Sequence, residues 1–176
     1  MKRLWALILC SLLLASCATS PTPADYADQK PQLDLKQYFN GELVAHGIFT
    51  DRAGKVARRF TVQLTGTWDG KQGTLDERFT YSDGKTERRV WRLTDEGNGR
   101  WTGRADDVVG FAEGRAAGNA LNWRYTLALP VDGKVYEVQF DDWMYLMDDQ
   151  VMLNKAAMSK FGVGLGEVTL SFLKKP

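Results

Sequence analysis

Val56-Ala57-Arg58-Arg59-Phe60-Thr61-Val62-Gln63-Leu64-Thr65-Gly66-Thr67-Trp68 is the stretch on which the fold turns. Val56, Phe60, Val62, Leu64 and Trp68 share one parity, with Arg58 among them, while Thr61, Gln63, Thr65 and Thr67 take the other. A two-residue period places successive side chains on opposite faces, so this is a strand with one face buried. Asp69-Gly70 follows, and it supplies the positive φ that a tight hairpin needs. The same grammar repeats downstream. Leu75, Phe79 and Tyr81 alternate before Asp83-Gly84, and Val90 to Leu93 precedes Gly97-Asn98-Gly99. Trp101, Gly103 and Ala105 make a short run. Leu121, Trp123, Tyr125, Leu127 and Leu129 share a face after Gly118-Asn119. Tyr136, Val138 and Phe140 follow Asp132-Gly133, and Val168, Leu170 and Phe172 come last.

These runs predict an all-β domain of about eight to ten strands joined mostly by short turns. No proline occurs between Pro31 and Pro130, as expected where backbone N–H groups sit in a ladder. An antiparallel meander of this length loses its free edges by closing into an up-and-down, calycin-like barrel, with a β-sandwich as the alternative. Asn154 to Phe161 lacks alternation and is followed by Gly162. It reads either as one or two turns of helix plugging a barrel end or as an irregular strand.

The N-terminus reads as an address. Met1-Lys2-Arg3 is basic, and Leu4 to Leu14 is a mostly apolar run too short to span a bilayer. It ends in Leu14-Ala15-Ser16-Cys17, which resembles the bacterial lipobox. Residues 1–16 are therefore expected to be a signal peptide, and Cys17 the acylated first residue of the mature chain. Each acyl CH₂ adds roughly 0.8 kcal/mol of membrane affinity, so such an anchor holds firmly. In lipoproteins of this kind a residue such as Ala18 implies the periplasmic face of the outer membrane. Residues 17–32 hold three of the five prolines and read as a flexible tether. Residues 33–176 read as one barrel domain.

Composition then excludes several chemistries. Loss of Lys2 and Arg3 leaves 21 basic against 22 acidic residues in the mature chain, a poor balance for nucleic-acid binding. Cys10 lies in the signal segment, so Cys17 has no partner for a disulfide, a zinc site or redox work. His46 is the single histidine. No metal or other cofactor is expected.

Asp51-Arg52-Ala53-Gly54-Lys55-Val56, Gly66-Thr67-Trp68-Asp69-Gly70, Leu75-Asp76-Glu77-Arg78-Phe79, Asp141-Asp142-Trp143-Met144-Tyr145-Leu146 and Lys160-Phe161-Gly162 resemble the motifs of domain-of-unknown-function family 3833, proteobacterial lipoproteins. The resemblance runs from about Leu33 to Lys174. It implies a calycin-like barrel on a lipid anchor and no particular activity. Gene neighbourhoods of fatty-acid modification and stress response, associated with that family, point to lipid.

Three residue groups bear on chemistry. Trp68, Trp91, Trp101, Trp123 and Trp143, with Phe60, Phe79, Tyr125, Tyr136, Phe140 and Tyr145, are a heavy aromatic load. They either line a cavity for an apolar ligand or pack the barrel shut. Arg58, Glu87 and Arg89 share parity with apolar strand residues, and a buried guanidinium must be paired by an internal acid or by a ligand's anionic group. Asp141 to Leu146 carries apolar residues at both parities, which demands burial on both faces or a bulge. Trp143 is expected inside, with Asp141 on its face and partnered by an arginine or by Lys155 or Lys160. The candidate ligand-binding residues are thus His46, Arg58, Trp68, Phe79, Trp91, Trp123, Tyr125, Asp141, Trp143 and Tyr145.

The leading expectation is a non-enzymatic envelope lipoprotein that takes an apolar or amphipathic, lipid-like small molecule into its barrel. The alternative is a filled barrel that works through its outer surface, as a structural or partner-binding outer-membrane lipoprotein. An isomerase or cyclase would need a polar group inside, for which His46, Arg58 and Glu87 are the candidates.

Overall fold

The computed structural model describes residues 20–131 and 133–175. The signal segment, Cys17 and Asp132 lie outside the described residues. Ten antiparallel strands run in sequence: β1 (Gly41–Asp51), β2 (Val56–Asp69), β3 (Gln72–Tyr81), β4 (Thr86–Gly97), β5 (Arg100–Arg104), β6 (Ala112–Ala117), β7 (Ala120–Val131), β8 (Lys134–Leu146), β9 (Val151–Lys160) and β10 (Val163–Lys174). Each pairs with its neighbours in the chain, and β1 pairs with β10, which closes the barrel. The meander expected from the alternation is thus complete, with no free edge among the described strands. The sandwich alternative is excluded by the β1–β10 ladder, in which Ala45 faces Phe172 and Gly47 faces Leu170.

Asn154 to Lys160 is strand, not helix, and Phe161 opens the turn that follows. β9 pairs with β8 from Met152 to Ser159 and with β10 from Val151 to Lys160. Its alternation is real but disguised. Met152, Asn154 and Ala156 are buried and Leu153, Lys155 and Ala157 are exposed, so a polar residue holds an inward position and small or apolar ones hold outward positions. A plug does exist, at the other end of the sequence. Helix α1 (Leu35–Tyr38), capped by the Asp34 carboxylate on the Gln37 N–H, lies across the end of the barrel where β1 begins. Leu33, Leu35, Tyr38 and Phe39 are buried there against Leu43, Leu64, Leu121, Met152 and Phe172. The approach is close: a Cβ on Gly66 would sit 1.6 Å from the Phe39 carbonyl oxygen. The Lys174 ammonium donates to the carbonyls of Gln37, Tyr38 and Asn40 at 2.5–2.8 Å, which satisfies the last turn of α1.

Part of the stretch read as a tether is docked. Pro23–Tyr26 forms a 3₁₀ turn, and the Tyr26 ring packs on Trp143 and Tyr145 on the outside of β8. Inward positions are mostly apolar and outward ones such as Gln63, Thr65 and Arg78 are polar and exposed, the reverse of a barrel that crosses a bilayer.

Candidate functional site

Most of the apolar core lies toward the plugged end of the barrel, and the polar inward positions lie toward the other. Above the plug the inward-facing positions of β3, β4, β7, β8 and β9 bring together Glu77, Arg89, Tyr125, Asp142 and Asn154, joined by Asp107 from the β5–β6 loop. The Arg89 guanidinium holds Asp107 in a bidentate pair at 2.7–3.1 Å. Glu77 lies directly opposite Arg89 in the β3–β4 ladder. The Tyr125 hydroxyl donates to Asp142 Oδ2 at 2.9 Å, and the Asn154 amide donates to Asp142 Oδ1.

Burial sets the electrostatics. It pushes the Glu77 carboxyl up to about 7; Arg89 opposes this, while Asp142 and Asp107 reinforce it. Burial likewise raises Asp142 to about 6, although the bonds from Asn154 and Tyr125 favour its charged form and Asp141 works against that form. For Arg89, burial disfavours the charge, but the bonds to Asp107 and the charges of Glu77 and Asp107 outweigh it and hold the guanidinium firmly ionised. Three acids therefore face one arginine that is already engaged, and the lumen favours neutral carboxyls.

Aromatic rings wall this cluster. Trp91 lies over Trp123 at 6.4 Å and meets Tyr125 edge-on at 5.5 Å, and Tyr125 stacks on Phe140 at 5.0 Å. Phe79 stacks on Tyr81 and touches Phe60. Phe79, Tyr81, Trp91 and Tyr125 all point inward, yet each is only partly buried. In a closed wall, the accessible surface of an inward side chain belongs to the lumen or its mouth. Ten strands also enclose a wider interior than the eight that side chains can fill.

Of the residues singled out from the sequence, Phe79, Trp91, Trp123 and Tyr125 do meet in the lumen. Arg58 faces inward at the mouth, with its guanidinium 3.5 Å above the Tyr81 ring and bonded to Asp83. Glu87, also at the mouth, accepts from the Tyr81 hydroxyl at 2.8 Å. Trp68 belongs to the closed end, edge-on to Trp101 at 5.8 Å, over the space that Gly73 leaves. His46 points outward and is exposed, so it offers no base to the lumen. It lines an apolar concavity of about 600 Å³ on the outer wall, with Ile48, Thr61 and Leu153. A second outer concavity of about 550 Å³ lies between Pro21–Pro23 and β5–β7.

The Asp141–Leu146 motif is inverted relative to expectation. Trp123 pairs with Asp142, and Leu121 with Met144, so the even positions face the lumen. Asp141, Trp143 and Tyr145 share the outer face. Asp141 accepts from the Asn122 amide at 2.6 Å and lies 3.8 Å from Arg124. The outer face is partly covered, because Tyr26 packs on Trp143 and Tyr145. Arg89 was expected inward with its guanidinium paired, and Asp107 is the acid that pairs it; Glu77, Asp107, Asp142 and Asn154 were not chosen from the sequence. Parity pointed to Glu77, which alternates with Leu75 and Phe79, but nothing local marked Asp142 over Asp141.

The described residues thus define a closed antiparallel β-barrel, plugged at one end, with a polar cluster among the inward-facing aromatic rings toward the other. The chain belongs to the DUF3833 family, described as proteins of unknown function, whose model matches residues 11–174. No curated protein matches. Among solved structures it is similar to an S-type phycobiliprotein lyase from Guillardia theta, with a TM-score of 0.61 and 6% identity, over 89% of this chain and 99% of that one. It is also similar to a protein of unknown function from the DUF3598 family of Nostoc punctiforme, with a TM-score of 0.52 and 12% identity, over 90% of this chain and 53% of that one. At such identities these likenesses concern the fold.

Proposed function

We propose that this protein is a non-enzymatic binder of a lipid-like small molecule, anchored through acyl chains on Cys17 at the periplasmic face of the outer membrane. One observation carries the binding reading: Phe79, Tyr81, Trp91 and Tyr125 point into a closed barrel and keep accessible surface there. Flat, polarizable rings above a small set of fixed polar groups are what an amphipathic ligand site needs. The cluster also selects the ligand's polar end. An ionised carboxylate would meet Glu77, Asp107 and Asp142 with Arg89 already bonded to Asp107. A neutral hydrogen-bonding end, such as a hydroxyl or ester, suits the lumen better. The barrel shared with a phycobiliprotein lyase fits a small-molecule role without specifying it.

Native mass spectrometry of the protein released from its own membrane tests this. We expect a co-purifying small molecule that a long-chain alcohol displaces better than the matching fatty acid at neutral pH, with quenching or enhancement of Trp91 fluorescence that Trp91→Phe abolishes. A ligand-free protein that binds neither probe would refute the reading. It would then favour a partner-binding role through the apolar outer concavity around His46, Ile48 and Leu153, to be followed by crosslinking on that wall. Cys17→Ala, which should release the protein from the membrane fraction, tests the anchor separately.

A further inference from the structure

Among the described residues, eleven large apolar side chains are exposed, and eight of them lie at the open end of the barrel. Five stand on two adjacent hairpins: Val131, Val135 and Tyr136 on β7–β8, and Phe161 and Val163 on β9–β10. Phe161 is 89% exposed and Val135 68%. The Lys160 ammonium bridges two of them, 4.6 Å from the Tyr136 ring centre and 5.2 Å from that of Phe161.

Two features make this more than scattered surface. The β7–β8 hairpin projects past the wall: β8 pairs with β7 from Lys134 on, but with β9 only from Gln139. At about 3.3 Å per residue, some five residues stand clear by roughly 15 Å. The β9–β10 turn also breaks a local rule. Phe161 and Gly162 form a two-residue turn with φ of 52° and 77°, the pattern that favours Asn or Gly at both positions. Elsewhere Asn98 or a glycine takes the left-handed positions. A phenylalanine held there, with its ring mostly in solvent, is costly for folding.

The charges at this end lean positive. Asp51 and Asp83 turn their carboxylates into their own hairpins, on the N–H groups of Ala53, Lys55 and Lys85. Arg52, Lys55, Arg58, Arg59, Lys85, Arg104, Lys134 and Lys160 lie in or beside its turns, against Asp51, Asp83, Glu87, Asp106, Glu137 and, by sequence, Asp132. From these observations we infer that the open mouth of the barrel docks on an anionic phospholipid surface, with the β7–β8 and β9–β10 tips inserted among the headgroups. Aromatic and aliphatic tips flanked by lysines have the composition of an interfacial anchor. With the tips inserted, the mouth opens where a lipid-like ligand resides, and only this last point rests on the proposed function.

The test uses the full-length protein purified from its own membrane and reconstituted in phosphatidylethanolamine–phosphatidylglycerol vesicles. Spin labels are placed at Val135→Cys on the open end and Met147→Cys at the closed end, with Val163→Cys as a second open-end site. We expect the Val135 and Val163 labels to be shielded several-fold from a water-soluble relaxation agent and reached by oxygen, while the Met147 label stays aqueous. Phe161→Asn should relieve the turn and leave the melting temperature equal or higher, yet move the Val135 label toward water. Replacing phosphatidylglycerol with phosphatidylcholine should weaken the shielding. Open-end labels that are as aqueous as Met147, or that broaden through spin–spin contact between copies, would overturn the inference. If mass spectrometry shows Cys17 without acyl chains, the anchoring reading fails by itself, and the rim is read by co-sedimentation with the same vesicles. Phe161→Asn must then lower it, and an unchanged value overturns the docking.

Discussion

The two ends of the barrel solve opposite problems with the same ten strands. At the closed end, α1 lays Leu35, Tyr38 and Phe39 over Leu43, Leu64 and Leu121, and the carbonyls it leaves open are met by Lys174. At the open end, charged groups occupy inward positions, rings keep accessible surface, and apolar side chains stand in solvent at the hairpin tips. Stability is concentrated where polar groups are satisfied and side chains interlock. The mouth tolerates raised carboxyl pKa values and a left-handed phenylalanine because the closed end holds the fold together.

The sharpest way to break this contrast is to cut into the plug. Leu35 is 2% exposed, so Leu35→Ala should cost about 2–5 kcal/mol, whereas Phe161→Ala at the open rim should stay within about 0.5 kcal/mol. Equal losses in urea titrations would mean that the ends do not differ in this way.

The second test is pH. Glu77 titrates in the fold at about 7, above its usual value of 4.5. The native state therefore keeps a proton that the unfolded chain has lost, and stability falls as pH rises from about 4.5 through 7. Asp142 adds a fall between about 3.8 and 6. Across its window Glu77 accounts for up to about 3 kcal/mol. Glu77→Gln should raise the melting temperature above pH 7, do little at pH 4, and flatten the slope between them. A parallel slope in wild type and variant would show that Glu77 is solvated.

Lys174→Met comes next. It leaves the carbonyls of Gln37, Tyr38 and Asn40 without their ammonium, and a loss of about 1–3 kcal/mol is expected, accompanied by faster amide exchange in 33–40. Exchange unchanged there would mean that water replaces the cap freely. The smallest effect belongs to Asp141→Asn. Its carboxylate is half exposed and keeps a hydrogen-bonding oxygen toward Asn122, so a change within about 1 kcal/mol is expected in thermal melts. A larger loss would move the important acid from Asp142 back to Asp141.

Much of this molecule was legible residue by residue. Alternation in β2, β3 and β7 and the Asp-Gly and Gly-Asn turns define strands and hairpins, because side-chain parity and positive φ are local properties of the chain. The closure of the meander followed from the cost of free edges. Tertiary structure alone decided the rest. Whether Asp141 or Asp142 faces the lumen depends on register against β7, since apolar residues occupy both parities and Tyr26, some 120 positions away in the chain, covers the outer face. Asn154 hid an inward strand position because its polarity is excused by partners on β8, the Asp142 carboxylate and the Trp143 carbonyl, that nothing local in the sequence announces. The plug came from 33–40 rather than 154–161 because a four-residue helix has too little periodicity to announce itself, and it is stable only on the barrel end that it covers.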